Sequence, residues 1–342
     1  MKYYYTIALV FLTLASASCQ EVQKEKFKIE VHVSDIDKLP VKDAVVTGGS
    51  EKILKNTSIP QANYENVVAK TDINGRAILD LTRYSGSPSA VLINKEGYYK
   101  TKQAIKWTKN ADGISNNDAK FNATLKPVKN PVKMIYHRAC GTPIHELNKN
   151  YGVDLEIGDA VAPLGKGKTA DIFVSITEVS REENMPNAYV ATIVFANPLD
   201  GFTEFIVDNK ANNEGSVLWS DYKAPLSNYK NNLTRETTNL RDSKFFENLE
   251  NEKTKCYYFR ARSVRNSDGA FIESNYGKIY GAIKISMPSK FSNNNNSPFV
   301  YFIIEDVYFN SNNNDINVEC DTTLNLSPKL DEYGKPIKIT RP

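Results

Sequence analysis

The sequence predicts an all-β protein built as two β-sandwich-like domains in tandem. Two observations carry that expectation. Apolar and polar residues alternate with period two in one segment after another, and only the 242–252 stretch has a pattern compatible with a helix. Composition agrees: Tyr 19 and Phe 15 are plentiful, and aromatic side chains suit a pleated, half-buried surface. Lys+Arg 43 against Asp+Glu 40 is close to balance. With no basic block or stripe, the electrostatic footprint of a nucleic-acid binder is missing.

Residues 1–18 read as a secretory signal peptide. Lys2 precedes an apolar run at 6–14, and Ala15, Ser16, Ala17 and Ser18 supply small residues before a cut. The run is too short to cross a hydrocarbon core of ~30 Å, so it is a poor transmembrane helix. Cys19 follows directly. Bacterial lipoproteins carry their lipid on such a cysteine, and Cys19 is the expected attachment residue. Ser16 stands where those signals usually place a large aliphatic residue, so the competing outcome is a cut after Ala17 and a soluble chain starting at Ser18. Gln20 follows the cysteine where an inner-membrane retention signal has aspartate, which favours the outer membrane. Alternating charges at Glu21, Lys24, Glu25 and Lys26 make 19–26 a solvated tether.

The first domain spans 27–126. Its opening strand, 27–33, alternates apolar and charged residues, with His32 as an ordinary side chain of the strand; 35–40 turns the chain and 44–46 begins the next strand. Strands at 67–70 and 76–81 flank a turn whose Asn74 and Gly75 supply the positive φ of a tight hairpin. Segments 90–95 and 121–125 complete the unit. Pro40-Val41 with Ala44-Val45, then Thr71-Asp72-x-Asn74-Gly75-Arg76, then Lys95-x-Gly97-Tyr98, resemble the carboxypeptidase regulatory-like module, a transthyretin-like β-sandwich. Leu39 departs from that family, which has glycine before the Pro-Val pair. The resemblance implies a non-catalytic accessory domain with no catalytic residues to carry over.

Pro127 and Pro131 bound a short stiff linker, 127–131. Strand-like segments then recur at 132–136, 170–177, 189–195, 204–207, 256–264, 276–285 and 299–304. They predict a second β-sandwich-like domain over 132–326, with 327–342 as a tail. Three motifs stand out here: Asp154-Leu155-Glu156-x-Gly158-Asp159, Ala162-Pro163-x-Gly165-Lys166-Gly167-Lys168-x-Ala170-Asp171, and Tyr276-Gly277-Lys278-Ile279-Tyr280-Gly281. Through them this half is similar to a group of exported bacterial proteins, and the resemblance implies architecture and export only.

Candidate chemistry is sparse. Gly165, Lys166, Gly167, Lys168 and Thr169 imitate a phosphate-binding loop, yet Ala162 stands where that motif needs glycine and a strand follows where it needs a helix. The stretch reads as a flexible basic loop. His137, Cys140 and His145 offer three zinc ligands. Zinc takes four tetrahedral ligands, or three and a water, and Glu146 or Asp154 would have to complete the set. The expectation is no metal and no cofactor. Neither Gly-x-Ser-x-Gly nor His-Glu-x-x-His occurs. Cys140, Cys256 and Cys320 leave one odd thiol after any disulfide, and their pairing stays open beside the plainer expectation of three buried, small apolar residues.

These residues point to a non-catalytic binding or structural module of the bacterial envelope, held to a membrane by its lipid. An envelope protein or a carbohydrate is the expected partner, and nucleic acid is not. One alternative is a carbohydrate-active or metal-dependent hydrolase with its site in 131–320, using paired carboxylates and Trp107, Trp219 or Tyr222 to stack on sugar rings. Another is an adhesin or assembly partner that uses exposed strand edges.

Overall fold

The computed structural model describes residues 25–54, 61–83, 90–105, 118–179, 188–207, 214–238, 254–286, 300–327, 329–331 and 333–342. Every named element among them is a strand, so the protein is all-β. Cys19, residues 20–24 of the tether and the 242–252 stretch lie outside the described residues. The chain divides into two compact units: 1–94 with 103–123, and 95–102 with 124–342.

Strands β1 (Glu25–Asp35), β2 (Val45–Leu54), β3 (Gln61–Lys70), β4 (Arg76–Arg83), β5 (Ala90–Asn94), β6 (Thr101–Ala104) and β7 (Asp118–Leu125) come first. In the first unit β4, β1 and β7 form one sheet, while β3, β2 and β5 are neighbours in another. Alternation places Phe27, Ile29, Val31 and Val33 of β1 inside, with Leu79 and Leu81 of β4 and Val91 and Ile93 of β5. A Cβ added at Gly48 of β2 would lie 3.0 Å from Leu81 Cδ1, so the two sheets face each other closely.

The Asn74-Gly75 turn is not a hairpin. Gly75 does adopt φ +72°, but β3 pairs with β2 and β4 with β1, so the turn carries the chain from one sheet to the other. Asp72 explains the geometry: its carboxylate accepts the N–H groups of Asn74 and Arg76, both at 2.9 Å. Val33 N–H then donates to Gly75 O at 2.8 Å, tying the turn to β1. Beside it Thr71 is buried, its hydroxyl accepting from Ala44 N–H at 2.8 Å and donating to Val41 O at 2.6 Å. Thr71→Val keeps the shape and strands both buried groups. The expected loss is about 2 kcal/mol in the first unit's urea transition, and an unchanged midpoint would show that water reaches these groups.

The second unit adds β8 (Val132–Ile144), β9 (Tyr151–Asp154), β10 (Asp159–Ala160), β11 (Ile172–Val179), β12 (Ala188–Phe195), β13 (Gly201–Ile206), β14 (Gly215–Ser216), β15 (Asn232–Thr238), β16 (Lys255–Arg265), β17 (Phe271–Ile279), β18 (Ile283–Ser286), β19 (Val300–Asn310) and β20 (Cys320–Asn325). Among the described residues twelve of these make a single sheet in the order β13-β16-β17-β19-β8-β10-β9-β11-β12-β15, with β18 on β19 and β20 on β8. Phe202 and Lys230 exchange backbone hydrogen bonds of 2.9 and 2.8 Å, so β13 meets the approach to β15 and the sheet nearly closes. Segment 127–131, read from sequence as a linker, is tied into this unit. Val128 N–H donates to Gly97 O at 2.8 Å, and Lys129 and Asn130 N–H donate to the Glu319 carboxylate at 2.8 and 2.7 Å.

Where two stacked sheets were expected, the second unit has one curved sheet with apolar layers on both faces. The inner layer holds Ile135, Ile172, Phe202, Tyr257, Phe259, Ile279, Val307 and Phe309. On the outer face lie Met134, Tyr136, Cys256, Tyr280 and Tyr308, packed against Trp219 and Ile339. Beside them Tyr258 and Tyr276 pack against Ala224 and Val318. The cover comes from residues outside any named strand, among them Trp219, Ala224, Val318 and Ile339.

Candidate functional site

The three candidate metal ligands serve separate purposes. His137 is fully buried on β8; its Nε2 lies 2.7 Å from Glu156 O and its Nδ1 3.3 Å from the Ser327 hydroxyl. Burial pushes its pKa down to about 4. Cys140 is buried on the same strand, 3.9 Å from Asp154 O, and burial pushes its thiol up to about 12, which makes it a poor nucleophile. His145 is exposed just past the strand end, with its backbone N–H 3.2 Å from Tyr151 Oη. Among the described residues no group of three or more His, Cys, Asp or Glu is placed to hold a metal ion. An open depression lined by Cys140, Asp159, Tyr301 and Lys329 holds about 230 Å³, below the ~300–1,000 Å³ usual for small-molecule sites.

The loop that imitates a phosphate site is built around the chain's own carboxylates. Lys168 and Thr169 N–H donate to Asp154 Oδ2 at 2.8 and 3.0 Å, and Lys166 N–H donates to Asp159 at 3.1 Å. Glu156 and Ile157 N–H reach Asp154 Oδ1, each at 3.0 Å. These amides are the groups that would cradle a phosphate. They already hold an anion.

Arg262 completes the cluster. It sits in a register shift of β16 between Ala261 and Val264, at φ +57°, an uncommon conformation for a non-glycine residue. From there its guanidinium reaches Asp171 at 2.9 and 3.2 Å and Asp154 at 3.0 Å, and also pairs with Glu156. The Asp154 and Asp171 side chains are 1% exposed. Burial opposes ionisation of Asp154, but the N–H groups of Thr169, Ile157 and Lys168 with Arg262 outweigh it and hold the carboxyl below its ordinary range. Two of the motifs legible in the sequence are thereby explained: their acidic residues bind the loop, β9 and β16 together.

The third motif contributes a buried amine. Tyr258, Lys278, Tyr308 and Tyr136 are successive register partners across β16, β17, β19 and β8, a row on the outer face of the sheet. Lys278 is 0% exposed. Its Nζ donates to Tyr280 Oη at 3.0 Å and Ser220 Oγ at 3.3 Å and lies over the Tyr280 and Tyr308 rings at 4.6 and 5.1 Å. Burial pushes its pKa down to about 7. Gly277 beside it admits no side chain, because a Cβ would collide with the Phe259 ring and Tyr308 O. Sequence reasoning missed Arg262 and Lys278 as centres. The available signal was a cation with apolar or aromatic neighbours in a strand-like run, Ala261 and Val264 near Arg262 and Tyr276, Ile279 and Tyr280 near Lys278.

The remaining candidates have structural partners. Trp219 carries the Arg341 guanidinium 3.7 Å from its ring, and Tyr222 donates to Pro127 O at 2.7 Å; Trp107 lies outside the described residues. Cys140, Cys256 and Cys320 are free and buried.

No family model matches the chain, and no curated protein does. Among solved structures, 3-chlorocatechol 1,2-dioxygenase from Rhodococcus opacus is similar at 16% identity and a TM-score of 0.23, over 32% of this chain and 62% of the dioxygenase. BcpA, the major pilin subunit of Bacillus cereus, is similar at 11% identity and a TM-score of 0.19, over 84% of this chain and 96% of the pilin. A variant of that pilin gives 12% identity and 0.18, over 80% and 97%. Likenesses this remote carry no argument about what the chain does.

Proposed function

We propose that the protein is an exported, lipid-anchored, non-catalytic binding or structural module of the bacterial envelope, seated at the outer membrane. The observation that carries the non-catalytic part is the state of the reactive groups in the second unit. Asp154 and Asp171 are engaged by hydrogen bonds from Arg262 and backbone N–H groups. His137 and Cys140 are buried with protonation behaviour shifted away from catalysis at neutral pH. The first unit is a carboxypeptidase regulatory-like accessory module in this reading, and an envelope protein or a carbohydrate is the partner.

Cys19 after the signal-like segment supports the anchoring. Each buried CH₂ of an acyl chain contributes ~0.8 kcal/mol, so several chains hold a protein where one is marginal. Cys19→Ala is expected to abolish incorporation of labelled palmitate and move the protein from the detergent phase to the aqueous phase. An intact mass beginning at an unmodified Ser18 in the unaltered protein would overturn the anchor.

A further inference from the structure

The depression beside β8 has the fittings of a binding site. It opens on the face opposite the inner layer that holds Phe302 and Ile304. Ile303, Gly141 and Asp159 are register partners across β19, β8 and β10, a row on that face. Gly141 leaves a gap in the row, and only glycine fits there, because a Cβ would collide with Phe302 O. Tyr301 and Pro143 are the next pair on the same face and line the gap, with Tyr301 37% exposed.

The polar lining is one acceptor beside one donor. The two oxygens of Asp159 each accept a single backbone N–H, from Ala160 at 2.9 Å and Lys166 at 3.1 Å, so both keep acceptor capacity. Lys329 Nζ donates to Gly158 O, one residue before Asp159, and keeps its other N–H groups. A carboxylate next to an ammonium, over a floor of Gly141 and Ile303, matches an acetamido group. Its N–H would donate to Asp159, its C=O would accept from Lys329, and its methyl would rest on the floor. Tyr301 adds an aromatic side chain of the kind on which sugar C–H groups stack. About 230 Å³ is small for a drug-sized ligand but takes one such group and the edge of one ring. A peptide amide would need a groove for chain on both sides. We propose that this depression binds an acetamido sugar, an N-acetylhexosamine. The inference rests on the binding-module reading and chooses carbohydrate over protein as the partner.

The test measures binding of methyl N-acetyl-β-glucosaminide to the full chain by saturation-transfer NMR and titration. The acetyl methyl protons should receive the strongest transfer. Methyl β-glucoside, which lacks the amide, should bind at least about tenfold more weakly, a ratio corresponding to ~1.4 kcal/mol. Tyr301→Ala and Lys329→Met should weaken the acetamido sugar to a similar degree, and Lys329→Met should also erase the preference between the two glycosides. The proposal is overturned by no binding to the unaltered chain, by equal affinity for the two glycosides, or by affinity unchanged in both variants. Capture of N-acetylglycine methylamide as tight as that of the sugar would overturn it too. Methanol released from the bound glycoside would instead overturn the non-catalytic reading and leave the site standing.

Discussion

Replacing Arg262 with methionine is expected to cost the second unit about 3–5 kcal/mol, because it leaves buried carboxylates without their cation. Asp154 and Asp171 share one guanidinium, and each side chain is 1% exposed. Without Arg262 they either repel each other or take up protons, and both outcomes draw on folding free energy. Urea unfolding followed through Trp219 would measure the loss. Arg262→Lys should recover only part of it, since an ammonium lacks the fork that reaches three carboxylates at once. Asp154→Asn should act locally, turning an acceptor of Lys168 and Thr169 N–H into a donor facing them and loosening 162–169. A midpoint unchanged in Arg262→Met would mean that the cluster contributes nothing to stability.

The second large effect is expected at Lys278 and appears in the pH profile. Its pKa falls from 10.5 to about 7 on folding. Between those values the unfolded chain holds a proton that the folded chain has released, so stability rises as pH climbs from 7 towards 10. Each unit corresponds to 1.36 kcal/mol, so the full rise has a ceiling of about 5 kcal/mol, and relaxation around the amine leaves a fraction of that. Above about pH 9 the sign reverses, first because burial raises the Cys140 and Cys320 thiols to about 12 and about 11. Burial raises Tyr136, Tyr258 and Tyr280, so the folded state keeps protons that the unfolded chain loses. On the acid side His137, moved from 6.5 to about 4, costs stability as pH falls through that window. Lys278→Met should therefore be the more stable protein at pH 6, without the rise between 7 and 9 and with an unaltered acid limb. An unchanged slope between 7 and 9 would sink the assignment.

The sequence carried the strands well and the centres poorly. Period-two alternation located β1 with its inward face, Phe27, Ile29, Val31 and Val33, because one buried face leaves a direct mark on residue order. Asn74 and Gly75 announced a positive φ, but turn residues specify local torsion and not which sheet receives the next strand. The Arg262 cluster joins residues separated by 91 and 108 positions. No periodicity or short motif encodes such a meeting. The outer cover was illegible for a related reason: Trp219, Ile339 and Val318 come from irregular stretches whose burial depends on a sheet built elsewhere in the chain.

The placement of β8 has a consequence for the order in which the chain can fold. The strand opens the main sheet of the second unit, yet it pairs with β19 and β20, and the bond from Tyr136 to Asn325 spans 189 residues. The first unit, whose β1 finds β4 nearby in sequence, can close early during delivery from a ribosome or through a membrane pore. In the second, β8 lacks its long-range partners until β19 and β20 emerge. Ordering so long a loop before its contacts form is slow. Until then β8 offers a bare apolar edge to other chains, so the interval between release of β8 and arrival of β20 is when this protein most needs a chaperone.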